Sequence, residues 1–155
     1  MNSELRTLNA DRRTPGGTSM KERVYDLEER LLNFAVVVID ISESLPNTRA
    51  GNHIAGQLLR SGTSPYGNHG EAQEPESADD FIHKLKICLK ELRETRRWAR
   101  LIERKKWRVG DPQLAVLLPE VEELIRIFKS SIQTAQRNRT TSTRKSPQRP
   151  THPNG

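Results

Sequence analysis

Four segments of this chain each carry an apolar stripe at alternating steps of three and four residues, and that recurrence constrains the fold more than any other feature. The first stripe is Val24, Leu27, Leu31, Phe34, Val38, Ile41 and Leu45; the second is Ile54, Leu58, Ser61, Pro65, Asn68 and Ala72. The third is Phe81, Leu85, Cys88, Leu92, Thr95, Ala99 and Ile102, and the fourth Leu114, Leu117, Val121, Leu124, Phe128, Ile132 and Ala135. Residues spaced this way share one face of a helix, and each face must be buried against another. No run alternates apolar with polar long enough to make a strand, so the class is all-α.

Local signals place the breaks. Ser19 with Glu22 fits a capping box that opens the first helix, and Pro46 closes it. The second helix opens near Asn47 or Thr48 and ends by Pro75; Ser77 with Asp80 repeats the capping pattern, and the third runs to about Lys106. Gly110-Asp111-Pro112 supplies a break, an N-cap and a first-turn proline for the fourth. Four helices of similar length with short connections predict an antiparallel up-down-up-down four-helix bundle over residues 19–137. Residues 1–18 and 138–155 are polar and rich in proline or glycine, a composition that predicts a disordered N-terminal arm and a disordered basic C-terminal tail.

The second helix is the weakest by propensity, since Gly51, Gly56, Gly62, Gly67, Gly70 and Pro65 all fall within it. A bend around Gly62 to Pro65 is expected, with small residues admitting a close neighbour. The stretch from Gly62 to Asn68 is not a phosphate-binding P-loop, because Asn68 stands where the lysine belongs.

Charge is unevenly placed. The net +6 comes largely from the tail, where Arg139, Arg144, Lys145 and Arg149 meet no acid. Within the bundle, residues 77–108 hold eleven Lys or Arg against five Asp or Glu, so the third helix carries the positive field. At about 100° per residue, Lys86, Lys90, Arg93, Arg97, Arg100 and Arg104 form one row outside the apolar seam. Such a row suits the phosphates of RNA or DNA, whose condensed counterions it would displace; it is equally what a solvated face or a partner for acidic helices looks like. Trp98, Trp107, Tyr66 and Tyr25 do not interleave with the row, so contacts are expected mainly with phosphate.

A further face of the same helix holds Ile87, Glu91, Glu94, Trp98 and Leu101, which meets either a neighbouring helix or another subunit. Buried there, Glu91 and Glu94 need partners, for which Arg60 or Asn68 of the second helix are candidates. With Glu71, these residues form a candidate structural polar network that sets helix register.

Catalytic and metal chemistry find little support. Glu71, Glu91 and Glu94 lack the Glu-x-x-His step of helical di-metal sites, as none of His53, His69, His83 and His152 follows a glutamate by three. Ser61, Ser64 and Ser77 have no nucleophile-elbow context, and Cys88, the only cysteine, lies on a buried seam as a small core filler. No metal, cofactor or enzymatic activity is expected. The first 18 residues hold no apolar core of a signal peptide, and no stretch reaches the roughly 20 apolar residues that span a bilayer, so a cytoplasmic protein without membrane contact is expected.

Arg60 to Ser64, Asn68, Glu71-Ala72, Ser77 to Leu85 and Leu89 to Thr95 together form a more specific pattern. It reads Arg-Ser-Gly-Thr-Ser, then Asn with Glu-Ala, then Ser-x-x-Asp-Phe-Ile-x-Lys-Leu, then Leu-Lys-Glu-x-x-Glu-Thr. In this the chain resembles the 23S rRNA intervening-sequence protein family, also called four-helix bundle proteins, over roughly residues 24–135. His69-Gly70 departs from the pattern, standing where many relatives have an aromatic or alanine residue followed by a small one. The resemblance implies a left-handed antiparallel bundle that assembles as a homo-oligomer, usually a homopentamer, with positive surface around the ring. It also implies two contexts: proteins encoded within insertions in large-subunit rRNA genes, and the accessory variability determinant of diversity-generating retroelements, which binds a reverse transcriptase and nucleic acid. The function expected from residues and resemblance together is a non-enzymatic oligomeric bundle that associates with nucleic acid through its third helix. The alternative is a protein-interaction scaffold, such as a reverse-transcriptase accessory protein.

Overall fold

The computed structural model describes residues 20–144, and they form four helices: α1 (Met20–Glu43), α2 (Arg49–Ala72), α3 (Ala78–Lys105) and α4 (Pro112–Arg144). Each helix packs along its two neighbours in the order α1, α2, α3, α4 and back to α1, and among the described residues the backbones of diagonal helices do not come close, which is the arrangement of an up-down-up-down bundle. The expected capping by Ser19, the disordered arm and residues 145–155 of the expected tail fall outside the described residues.

The apolar stripes meet as expected. Leu31, Phe34, Val38 and Ile41 from α1, Leu58 from α2, Leu92 and Ile102 from α3, and Leu117, Val121, Leu124 and Phe128 from α4 form one continuous core. Cys88 is fully buried in it, its thiol donating to the Pro65 carbonyl at 3.6 Å, and burial pushes its pKa up to about 12. A thiol so held is inert packing.

Two seam positions differ from expectation. α2 is helical throughout, Gly62 and Pro65 included, because α1 and α3 flank it on both sides and burial outweighs its poor propensity. On its seam, His69 is the buried residue and Asn68 is only half-buried; on α3, Ile82 is buried more deeply than Phe81. The imidazole of His69 stands T-shaped to the ring of Phe128 of α4, ring centres 6.2 Å apart. Its Nδ1 has no hydrogen-bond partner, and burial lowers its pKa, an effect that Glu28 of α1 opposes. The folded state therefore favours neutral His69, and the stability this confers is present above about pH 6.5 and is lost as acid protonates the ring.

The C-terminal boundary is also different: α4 continues to Arg144, so residues 138–144 are helical and not part of a disordered tail. The hydroxyls of Thr140, Thr141 and Thr143 bond back to carbonyls of their own helix, and Arg139 pairs with Asp79 in the first turn of α3. Arg139 therefore does meet an acid. A positive charge and a helix N-terminus make Asp79 a favourable place for a carboxylate.

α1 and α4 approach each other least. Their seam is held by a two-pronged clamp, Arg30 to Glu120, with both contacts at 3.0 Å, and by Gln113 donating to Asp40 at 2.9 Å. The hydrogen bonds to Glu120 raise the pKa of Arg30 further. On the outer surface of α1, Leu32, Val36 and Ile39 remain exposed in one stripe.

Candidate nucleic-acid interface

α3 is capped by its own sequence at both ends. Ser77 caps it in an extended conformation, its hydroxyl accepting from the Asp80 amide at 3.0 Å, while the Asp80 carboxylate accepts from the Glu76 amide at 3.1 Å. Both acids of the first turn and both cations of the last, Arg104 and Lys105, complement the helix dipole. Termination comes at Lys106, which adopts the left-handed region at φ 58°, and the Lys105 ammonium sits 5.8 Å from the centre of the Trp107 ring. Next, Asp111 caps α4 by accepting from the Gln113 amide at 2.9 Å, and the hydrogen bond from Arg108 holds its carboxyl below the usual range.

Along this rod the charged residues divide by direction. Facing α2, Glu91 and Glu94 both bind Arg60, Glu91 at 3.5 Å. Facing α4, Arg96 reaches both carboxylate oxygens of Glu122, at 3.1 and 3.2 Å. Near the start of the rod, Lys84 binds Glu71 at 3.0 Å, a hydrogen bond that raises its pKa. The third direction is outward, and there Lys86, Lys90, Arg93, Arg97, Arg100 and Arg104 are all exposed. Among the described residues, no ion pair joins any of the six to a carboxylate.

The expected polar network is thus divided. Arg60, Glu91 and Glu94 do come together, extended by Gln57, whose Oε1 accepts from Arg60 at 3.3 Å. Asn68 does not join: its amide donates to the Ser64 carbonyl at 3.0 Å and hydroxyl at 2.9 Å within α2. It lies two turns along from Arg60, and Ser64 one turn back satisfies it locally. Glu71 belongs to the separate Lys84 pair. The seam also holds a polar contact that sequence reasoning missed, Thr95 with Ser61 at 3.0 Å, both fully buried. Both residues stand on the predicted seams, and two hydroxyls on facing stripes were the available signal.

A second omission is Trp98. It lines an open groove of about 600 Å³ on the outer side of α3, shared with Lys90, Arg93, Glu94, Arg97 and Leu101. The expectation that aromatic residues stand apart from the basic row is corrected at this residue. Its signal was the four-residue step from Lys90 through Glu94 to Trp98, a helical ridge immediately beside the cations.

Among the described residues, no group of three or more His, Cys, Asp or Glu side chains is arranged to hold a metal ion, and no helix is long and apolar enough to cross a membrane. Fold and surface define a small all-α bundle protein whose most distinctive feature is an exposed ridge. The chain belongs to the 23S rRNA-intervening sequence protein family, whose model matches residues 25–130. Among solved structures it is similar to a protein of unknown function from the S23 ribosomal protein family of Bacteroides thetaiotaomicron, with 32% identity and a TM-score of 0.64 over 72% of this chain and 98% of that one. No curated protein matches the chain.

Proposed function

We propose that this protein is a non-enzymatic, oligomeric bundle that binds the phosphate backbone of nucleic acid through the outer ridge of α3. The observation that carries the reading is the contrast between cations engaged across the seams and six that face solvent with no carboxylate paired to them. Fixed on a capped helix, the six side chains recur at about the 5.4 Å pitch of successive turns, a rigid array suited to replacing counterions along a polyanion. Membership in a family described by an rRNA intervening sequence agrees with that chemistry. Self-association finds support on a different surface, the exposed Leu32, Val36 and Ile39 stripe of α1, which leaves the ridge available.

Neutralising roughly five phosphates predicts that log affinity falls against log salt with a slope of about −4.5 on duplex DNA. The combined variant Lys90→Glu, Arg93→Glu and Arg97→Glu is expected to abolish RNA and DNA binding while circular dichroism and the unfolding midpoint stay close to the parent. A flat salt dependence, or unchanged binding by the triple variant, rejects the reading. A pull-down complex that survives nuclease treatment would instead identify an acidic protein as the ridge's partner.

A further inference from the structure

Phosphate contact accounts for the cations of the ridge but not for the indole beside them. Trp98 is half-buried and held in place: Nε1–H donates to Glu94 Oε1 at 3.4 Å, and the His53 ring of α2 stands T-shaped to the indole at 6.4 Å and 86°. Glu94 is itself fixed by Arg60 from α2. The indole is therefore positioned before any ligand arrives, in a groove that also presents Lys90, Arg93 and Arg97 and the 44% exposed Leu101.

A flat apolar surface beside three unpaired cations fits a ligand that alternates flat apolar units with negative charges. Unpaired nucleotides do so, since each offers a base face for stacking and a phosphate for the cations. A duplex keeps its base faces inside the stack. An acidic peptide matches the charge but leaves the indole without a flat partner. A second copy docking ridge to ridge would oppose like charges across the contact. On this basis we infer that Trp98 is a stacking platform for an unpaired nucleobase, with Lys90, Arg93 and Arg97 neutralising the neighbouring phosphates, so that the ridge selects single strands over duplexes. The inference rests on the nucleic-acid reading above and specifies its ligand.

The test uses the full chain carrying Trp107→Phe, which leaves Trp98 as the only tryptophan of the two in the sequence. Oligouridylate, oligothymidylate and a DNA duplex of equal length are titrated while Trp98 fluorescence and anisotropy of the labelled strand are followed. Quenching by either single strand, with affinity at least about tenfold tighter than for the duplex, is expected; the two single-stranded arms tell RNA from DNA. Trp98→Ala should weaken single-strand binding by about 5- to 150-fold and leave duplex binding unchanged. Trp98→Phe, which retains a ring, should recover much of the loss and guards against a folding defect.

Single strands and duplex bound equally, with steep salt dependence and no quenching, would overturn the stacking role while leaving the phosphate reading intact. Absence of binding to all three at low salt would overturn both. Equal quenching by polyglutamate, or quenching that follows protein concentration without any oligonucleotide, would assign the groove to an acidic protein or to a second copy and overturn the inference.

Discussion

The two sides of α2 hold the bundle by different physics. Toward α1 the contact is steric: a Cβ added at Gly62 would stand 2.5 Å from Cγ1 and 2.6 Å from Cγ2 of the fully buried Val38. Toward α3 the contact is polar, with Ser61 on Thr95 and Arg60 on Glu91 and Glu94. One side excludes atoms; the other aligns charges and hydroxyls. The difference teaches that adjacent residues, Gly62 against Ser61 and Arg60, serve separate purposes: the first sets how close two helices come, and the others set which turn of α2 faces which turn of α3. Only the polar side is connected to the ridge, because the Glu94 that Arg60 holds also holds Trp98.

The strongest way to break the comparison is to add a single methyl on the steric side. Gly62→Ala is expected to destabilise the bundle by about 1–3 kcal/mol through overpacking, offset by up to about 1 kcal/mol of improved helix propensity. Val38 is β-branched and has few rotamers into which it can withdraw. Gly67→Ala, one turn further and exposed with nothing within 4 Å of the added Cβ, gains the propensity alone and should stabilise by about 0.5–1 kcal/mol. Urea midpoints at constant m-value check both signs. If Gly62→Ala proves neutral, or if adding Val38→Ala fails to relieve it, the helices are not held apart by this contact.

Much of this organisation was legible from the chain, and the exceptions share a cause. Periodicity identified the helices because burial acts on every turn, and Ser77 and Asp111 marked helix starts because unpaired backbone amides need local acceptors. The exposed cations of α3 were equally readable, as angular position around one helix follows from sequence spacing alone. Partner choice was not. Asn68 and Arg60 are both polar residues beside the α2 seam, yet Asn68 is satisfied one turn away by Ser64 while Arg60 crosses to α3. Which occurs depends on interhelical distance, a property of two segments at once. The continuation of α4 to Arg144 escaped notice for a similar reason: its composition resembles a tail, and its long-range contact, Arg139 with Asp79, comes from a distant helix.

On the polar side the effects should be smaller. Thr95→Val preserves shape and removes the hydroxyl, leaving Ser61 Oγ with only its 3.4 Å contact to the Leu58 carbonyl. The change also removes the 2.8 Å contact of the Thr95 hydroxyl to the Glu91 carbonyl, so a loss of about 1–2 kcal/mol is expected, the net value of one to two hydrogen bonds. Pairing it with Ser61→Ala, which removes both polar groups, should cost little more than the single change; full additivity in that cycle would show that the two hydroxyls do not depend on each other.

Arg60→Ala sharpens the comparison at its smallest end, because the side chain is 55% exposed and such ion pairs contribute about 0.2–1 kcal/mol, less at high salt. Its larger consequence should be in binding. Without Arg60, Glu94 loses the contact that fixes it from α2, and the indole whose Nε1–H it accepts becomes freer to rotate. The variant should therefore weaken single-strand binding by less than Trp98→Ala does, with the unfolding midpoint nearly unchanged and duplex binding unaffected. A fall in stability that accounts for the whole binding loss would make Arg60 a structural residue only. Unchanged quenching of Trp98 would instead show that Glu94 and His53 position the ring without it.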